Sequence, residues 1–321
     1  MSTYLLRRLV ATVPLLLVGS FVVFALTAIA GDPLARLAGT DVDRAVYDTL
    51  IERYALDDPV PVRYLDWLIG ALSGDLGTST AFGGAPVAEL VASGAMATLR
   101  LVLPAFLLGA LAAVALGVVS ALRPGSAVDT LVSTTSFFAL AVPTFITATA
   151  LQVLFGVWWP EWTGWRPFPV FGVRTAAEYG VTAMLASHVL PVLTLTVVLA
   201  ASQSRYQRAA MLEVLSAEHL RTARSKGVGE RTVVLRHGLR NALLPVVTVW
   251  AIDLAALLGG AVVTETVFAW PGLGRMLVTA VVQQDLHLTT AIVMLIGLAV
   301  VVCNLVADAV YAVLDPRIRH G

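Results

Sequence analysis

The chain has 321 residues, of which 58% are hydrophobic and 13% charged, and its mean hydropathy is +0.84. Soluble domains carry about 25% charged residues, so a soluble globule is excluded, and a net charge of zero argues against a nucleic-acid partner. The single cysteine, Cys303, excludes an internal disulfide and falls in an apolar run where packing is its natural role.

The first predicted span covers 9–30, behind Arg7-Arg8, and meets the roughly 20 helical residues that a bilayer requires. Ala28-x-Ala30 has the small residues of a cleavage site, but signal cores run only about 7–15 residues. A polar region follows at 31–95, with ten acids against four arginines. In it, Tyr47–Tyr54 and Val62–Ala71 read as short amphipathic helices broken by Pro59 and Pro61, and Gly74-Asp75-Leu76-Gly77 as a turn. Scarcity of basic residues places this region outside the cell. The second span is expected at 97–122, and Arg123-Pro124-Gly125 makes a short inside turn.

The third span, 128–157, contains Pro143, with Thr144, Thr147, Ala148, Leu151 and Gln152 on one stripe. That polar face lines a pathway or supplies interhelical hydrogen bonds. The loop 158–178 is rich in tryptophan and proline, a composition suited to the headgroup belt. The fourth span is expected at 181–201, a basic loop at 205–242, the fifth span at 243–263, an outside segment at 265–287 and the sixth span at 288–313. Thirteen basic residues then lie inside and eight outside, which supports an all-α membrane domain of six transmembrane helices with both termini cytoplasmic.

No enzyme constellation is present: there is no His-Glu-x-x-His, no Cys pair and no Gly-x-Ser-x-Gly. No catalytic or metal-ligating set is assigned, and the five histidines are scattered. The only lysine, Lys226, stands between Ser225 and Gly227, so a phosphate-binding Gly-Lys-Ser/Thr loop is missing. Any ATP-driven step must be run by another polypeptide.

The basic loop carries the most information. Two short helices fit it, one ending at the left-handed stop Gly227 and one beginning at Glu230, with Arg236 and Arg240 on one face. Arg221-Thr222-Ala223 with Gly227 four places on, followed by Arg236-His237 and Arg240-Asn241-Ala242-Leu243-Leu244-Pro245, resembles the coupling loop of ABC importer permeases. The generic motif begins Glu-Ala-Ala and reaches its Leu-Pro sooner. The departures here resemble the peptide/nickel-type (dipeptide/oligopeptide) branch, and within it the first, B-type permease subunit. Glu265-Thr266-Val267-Phe268 with Pro271-Gly272 and Gly274, the terminal Asp315-Pro316-Arg317-Ile318-Arg319, and Gly74-Asp75-Leu76-Gly77 extend the resemblance over nearly the whole chain.

This resemblance implies a type I importer permease, multi-pass in the bacterial inner membrane. Its partners would be a second permease subunit, two ATPase subunits that hold ATP and Mg, and an extracytoplasmic substrate-binding protein. It assigns ATPase coupling to Arg221, Thr222, Ala223, Lys226, Gly227, Arg236, Arg240 and Pro245. Pathway residues are expected among Asp253, Thr144, Thr147 and Gln152, and binding-protein contacts among Pro271, Gly272, Leu273 and Arg275. Rocking hinges are expected at Pro143, Pro191, Pro245 and Gly259-Gly260. Di- and oligopeptides, nickel chelates and haem-like cargo all fall within the family's range. The competing reading is an ion-coupled secondary transporter built on Asp253, Glu265, Asp308 or His188. Asp253, at the midpoint of the fifth span, lines a water-filled substrate path, pairs with a basic or polar group on the partner permease, or is protonated and hydrogen-bonded within the bundle.

Overall fold

The computed structural model describes residues 2–30, 51 and 57–314, with side chains from 12 to 258 and from 261 to 306 within those ranges. In chain order its helices are α1 (Ser2–Ala30), α2 (Val60–Leu72), α3 (Val87–Leu122), α4 (Ala127–Ala141), α5 (Thr144–Val153), α6 (Trp159–Thr163), α7 (Ala176–Tyr179), α8 (Val181–Leu215), α9 (Glu218–Ser225), α10 (Leu239–Gly260), α11 (Val262–Val267), α12 (Leu273–Val282) and α13 (Leu286–Leu314). Wider π turns, Leu154–Trp158 and Val233–Gly238, join α5 to α6 and lead into α10. Among the described residues, five helices are long and apolar enough to cross a membrane, and six spans result if the bent pair α4 and α5–α6 is one. Large apolar side chains such as Leu15, Leu26, Leu111, Leu131, Phe138 and Ile252 face outward from them, as lipid-facing helices require. The predicted helix at Tyr47–Tyr54, the C-terminal motif from Asp315 and the Asp308 side chain lie outside what is described.

Residues 1–98 with 271–301 form one packing unit, and 99–270 with 302–321 another. In the first, Pro59 is the N-cap of α2 and Pro61 lies in its opening turn, where a missing N–H costs nothing. Pro61 therefore starts this helix and does not break it. Its buried face carries Tyr64 and Trp67, packed with Phe24, Val91, Leu273 and Leu288. The Tyr64 hydroxyl lies 2.8 Å from Ser20 Oγ, and the Trp67 indole donates to the Leu76 carbonyl at 3.3 Å. The turn at Gly74–Gly77 holds both glycines at positive φ, +92° and +82°. Asp285, 1% exposed, accepts from Ser79 Oγ at 2.5 Å and from the amides of Ala81 and Leu288 at 3.0 Å, so one carboxylate caps α13 and pins the loop after the turn.

In the second unit a row of small residues spaced four apart on α3, Ala105, Gly109, Ala113, Gly117 and Ala121, is buried throughout. A Cβ added to Gly109 would stand 2.8 Å from Leu199 Cβ, and one added to Gly117 would stand 2.7 Å from Gln207 Cβ. The α3 and α8 backbones therefore touch, the close approach that small residues permit between membrane helices.

Several boundaries differ from expectation. α3 starts ten residues before 97, which shortens the outer region, and α8 continues to Leu215, so Arg205 and Arg208 ride on a helix rather than in the basic loop. The third span is two helices meeting at 100°, because Pro143 has no N–H to continue α4 and starts α5 instead. The tryptophan-rich loop begins as helix through Thr163. Pro191 and Pro245 lie inside unbroken helices.

Candidate functional site

The basic segment is an exposed helix held at both ends. The amide of Gly227 bonds the Arg224 carbonyl at 2.9 Å, and the amide of Val228 bonds the Ala223 carbonyl at 3.2 Å. This pair of bonds, with Gly227 at φ +75°, is the left-handed helix stop that glycine serves best. The fully buried Leu220 is the anchor, facing the position of Gly238 in the π turn and Met211 of α8. Arg224 donates to both carboxylate oxygens of Glu230, at 3.1 and 2.8 Å, which raises its pKa above the ordinary value and staples the loop between α9 and the next turn. Arg221, Thr222 and Lys226 stay exposed, and Ala223 is half-buried. The second short helix of the expectation is instead the start of a long one: Glu230–Thr232 runs through the π turn into α10. Arg236 lies in that turn and Arg240 in the first turn of α10, and both are exposed.

Asp253 is half-buried on α10, and Gln203 Nε2 of α8 donates to its Oδ2 at 3.0 Å. Gln203 and Gln207, one turn apart, are fully buried. Gln203 Oε1, both ends of the Gln207 amide and the Trp250 indole N–H bond no other described group. The seam between these helices is thus rich in polar atoms that packing has not consumed, in a protein where buried polar groups are ordinarily paired. On the α5 stripe, Ala148 is buried and Thr144 and Thr147 are partly so. Gln152 donates its amide hydrogens to the carbonyls of Val170 and Val267, at 2.8 and 3.1 Å, holding two backbone segments together.

Residues 105–320 match the family described as binding-protein-dependent transport system inner membrane component, and residues 1–93 match the N-terminal family of such components. The chain is similar to the oligopeptide transport system permease protein AppB of Bacillus subtilis, 38% identical over 324 residues and 100% of both chains. It is also similar to the glutathione transport system permease protein GsiC of Salmonella typhimurium, 36% identical over 321 residues and again 100% of both. A solved amino acid ABC transporter matches with a TM-score of 0.49 and 14% identity, over 71% of this chain and 94% of that one. The chain belongs to the inner-membrane permeases of binding-protein-dependent ABC importers.

Within this permease the sequence expectations are distributed unevenly. Of the proposed binding-protein contacts, Pro271 and Arg275 are exposed, but Gly272 is buried and Leu273 sits in the core of the first unit, 5% exposed. The expected tight turn is the N-terminus of α12, whose Leu273 amide bonds Thr98 Oγ1 at 2.9 Å. Glu265 is fully buried on α11. His188 packs edge-on against Trp270, with ring centroids 4.7 Å apart, and its Nδ1 lies 2.8 Å from the Met184 carbonyl.

Sequence reasoning missed a clamp in this permease. Asp129, 5% exposed, meets Nε and Nη2 of Arg208 at 2.7 Å each, accepts from the Gly125 amide at 2.9 Å and takes a short bond from Ser120. The turn between α3 and α4 is thereby tied to α8, and Arg208 is used inside the fold, not for docking. Arg205 lies over the Phe137 ring at 4.2 Å. The available signal was an acid and an arginine in apolar runs that a bilayer tolerates only when paired. Gln203 and Gln207 carried a similar signal at i, i+4.

Proposed function

We propose that this permease is the first-type subunit of an ATP-driven importer of di- and oligopeptides. It forms half of the translocation path beside a second permease subunit. Two separate ATPase chains hold ATP and Mg on the cytoplasmic side, where both termini lie, and an extracytoplasmic binding protein delivers the cargo. The observation that carries this reading is α9: a short basic helix, fixed by Leu220 below and Gly227 at its end, that presents Arg221, Thr222 and Lys226 on an exposed surface where another protein can meet them. Such a rigid knob between α8 and α10 can pass a push from an ATPase to both helices. Peptide cargo is supported by the oligopeptide and glutathione systems to which the related permeases belong. Asp253, half-buried and held by the Gln203 amide, suits the ammonium and amide groups of a peptide.

The test uses the complete transporter in proteoliposomes. Proline at 227 cannot adopt φ +75° and removes the amide bonded to Arg224, so Gly227→Pro, like Ala223→Asp, should insert and assemble normally yet lose peptide uptake and peptide-stimulated ATP hydrolysis. Wild-type uptake by Gly227→Pro at equal expression would remove α9 from coupling. Uptake of a nickel chelate or haem in preference to labelled di- and oligopeptides would overturn the cargo.

A further inference from the structure

The chain between α6 and α8 closes over a cavity that the transport reading leaves unused. It has a volume of about 520 Å³ and is lined by Arg166, Arg174, Phe168, Val170, Thr182 and Ala186. The loop is drawn down on α5–α6 at Gly156, where a Cβ would lie 2.7 Å from a Val170 methyl carbon. Arg166 and Arg174 are exposed and meet no carboxylate among the described residues, and Arg174 lies 5.5 Å from the centroid of the Tyr179 ring. Near the cavity, Trp162, Trp165 and Phe171 expose 72%, 62% and 65% of their surface. Tryptophans so exposed on a membrane protein mark the level of the lipid headgroups. Two guanidiniums on one cavity wall, neither meeting a carboxylate among the described residues, suit phosphate oxygens, and Phe168, Val170 and Ala186 offer an apolar wall beside them.

We propose that this cavity is a binding site for an anionic phospholipid. Arg166 and Arg174 hold its phosphodiester, Thr182 is placed to donate to the headgroup, and the apolar wall receives the glycerol and first methylenes. The occupant is a lipid and not the acidic surface of a protein, because the tryptophans beside the arginines have the amphipathic form that suits a headgroup layer. The site lies apart from α9 and Asp253, so it stands or falls separately from the peptide reading.

The complete transporter, stripped of native lipid in detergent, is titrated with dioleoylphosphatidylglycerol or dioleoylphosphatidylcholine and followed by native mass spectrometry. Each arginine near an anionic surface contributes about a fivefold gain in affinity, so phosphatidylglycerol should be retained about 25-fold more strongly. The Arg166→Gln/Arg174→Gln pair should lower that retention to the phosphatidylcholine level. Arg166→Lys/Arg174→Lys should keep most of it, which separates charge from misfolding. Equal retention of the two lipids by the wild type would overturn the proposal, as would an unchanged preference in the glutamine variant. Displacement of phosphatidylglycerol by millimolar inorganic phosphate at constant ionic strength would identify a free-anion site instead. Displacement by the purified binding protein would identify a protein dock.

Discussion

Asp253 occupies the middle of a helix where insertion of a carboxylate costs about 2.5–3.5 kcal/mol, and its described partner is the Gln203 amide, not a cation. That hydrogen bond offsets part of the cost. Asp253→Asn can keep the hydrogen bond to Gln203, so assembly should be intact while uptake of cationic peptides falls on the order of tenfold relative to neutral ones. Asp253→Leu should impair transport of both. Competition uptake with lysine- and alanine-containing dipeptides measures this, and wild-type behaviour of both variants would take Asp253 off the path. Asp129 shows the opposite arrangement, a buried acid fully matched by Arg208, Ser120 and Gly125. Removing one charge leaves the other without its partner. Asp129→Asn should thus lower the thermal midpoint of the purified complex more than the double apolar change Asp129→Leu/Arg208→Met does, and the reverse order would deny the clamp its structural weight.

At the scale of helices, the α3–α8 contact has no spare volume. Gly117→Val would push a branched side chain against Gln207 Cβ and the Ser204 carbonyl, where even a single carbon stands at 2.7 and 2.9 Å. Overpacking of this kind costs about 1–3 kcal/mol or more. The monodisperse peak in fluorescence-detected size-exclusion chromatography should shrink for Gly117→Val, while Gly19→Val, with nothing within 4 Å of the added carbon, leaves it unchanged. Equal peaks would mean that the contact is loose. The spans were legible because bilayer thickness imposes a length on every apolar run, and Gly227 because a left-handed stop needs glycine. Other features carried no local signal. A π turn at 233–238 looks like any helical stretch, and the start of α12 reads as an exposed turn because Pro271, Gly272 and Gly274 are turn residues and the helix behind them is only 10 residues long. The extension of α8 past the apolar run depended on Arg208 finding Asp129, a partner 79 residues away.

For the whole molecule, the break at Pro143 has the furthest reach. The polar turn at Arg123–Ser126 marks one face of the membrane, and the 15 residues of α4 carry the chain about 22 Å from it, short of the roughly 30 Å hydrocarbon layer. The 100° bend therefore falls at membrane depth. There it parts the carbonyls that precede Pro143 from the i+4 amides a continuous helix would supply. Irregular backbone at that depth survives only where protein covers it or water reaches it, yet Phe138 is 71% and Phe145 52% exposed on either side. This elbow cannot be bathed in acyl chains. In the assembled importer, Ala141→Cys in a Cys303→Ser background should react with a water-soluble maleimide or crosslink to a neighbouring protein component, and inertness to both would place the elbow in lipid. A lone copy of this chain would carry an open wound in its bilayer-facing surface, so the subunit should be an obligate one, degraded when made without the neighbour that closes it.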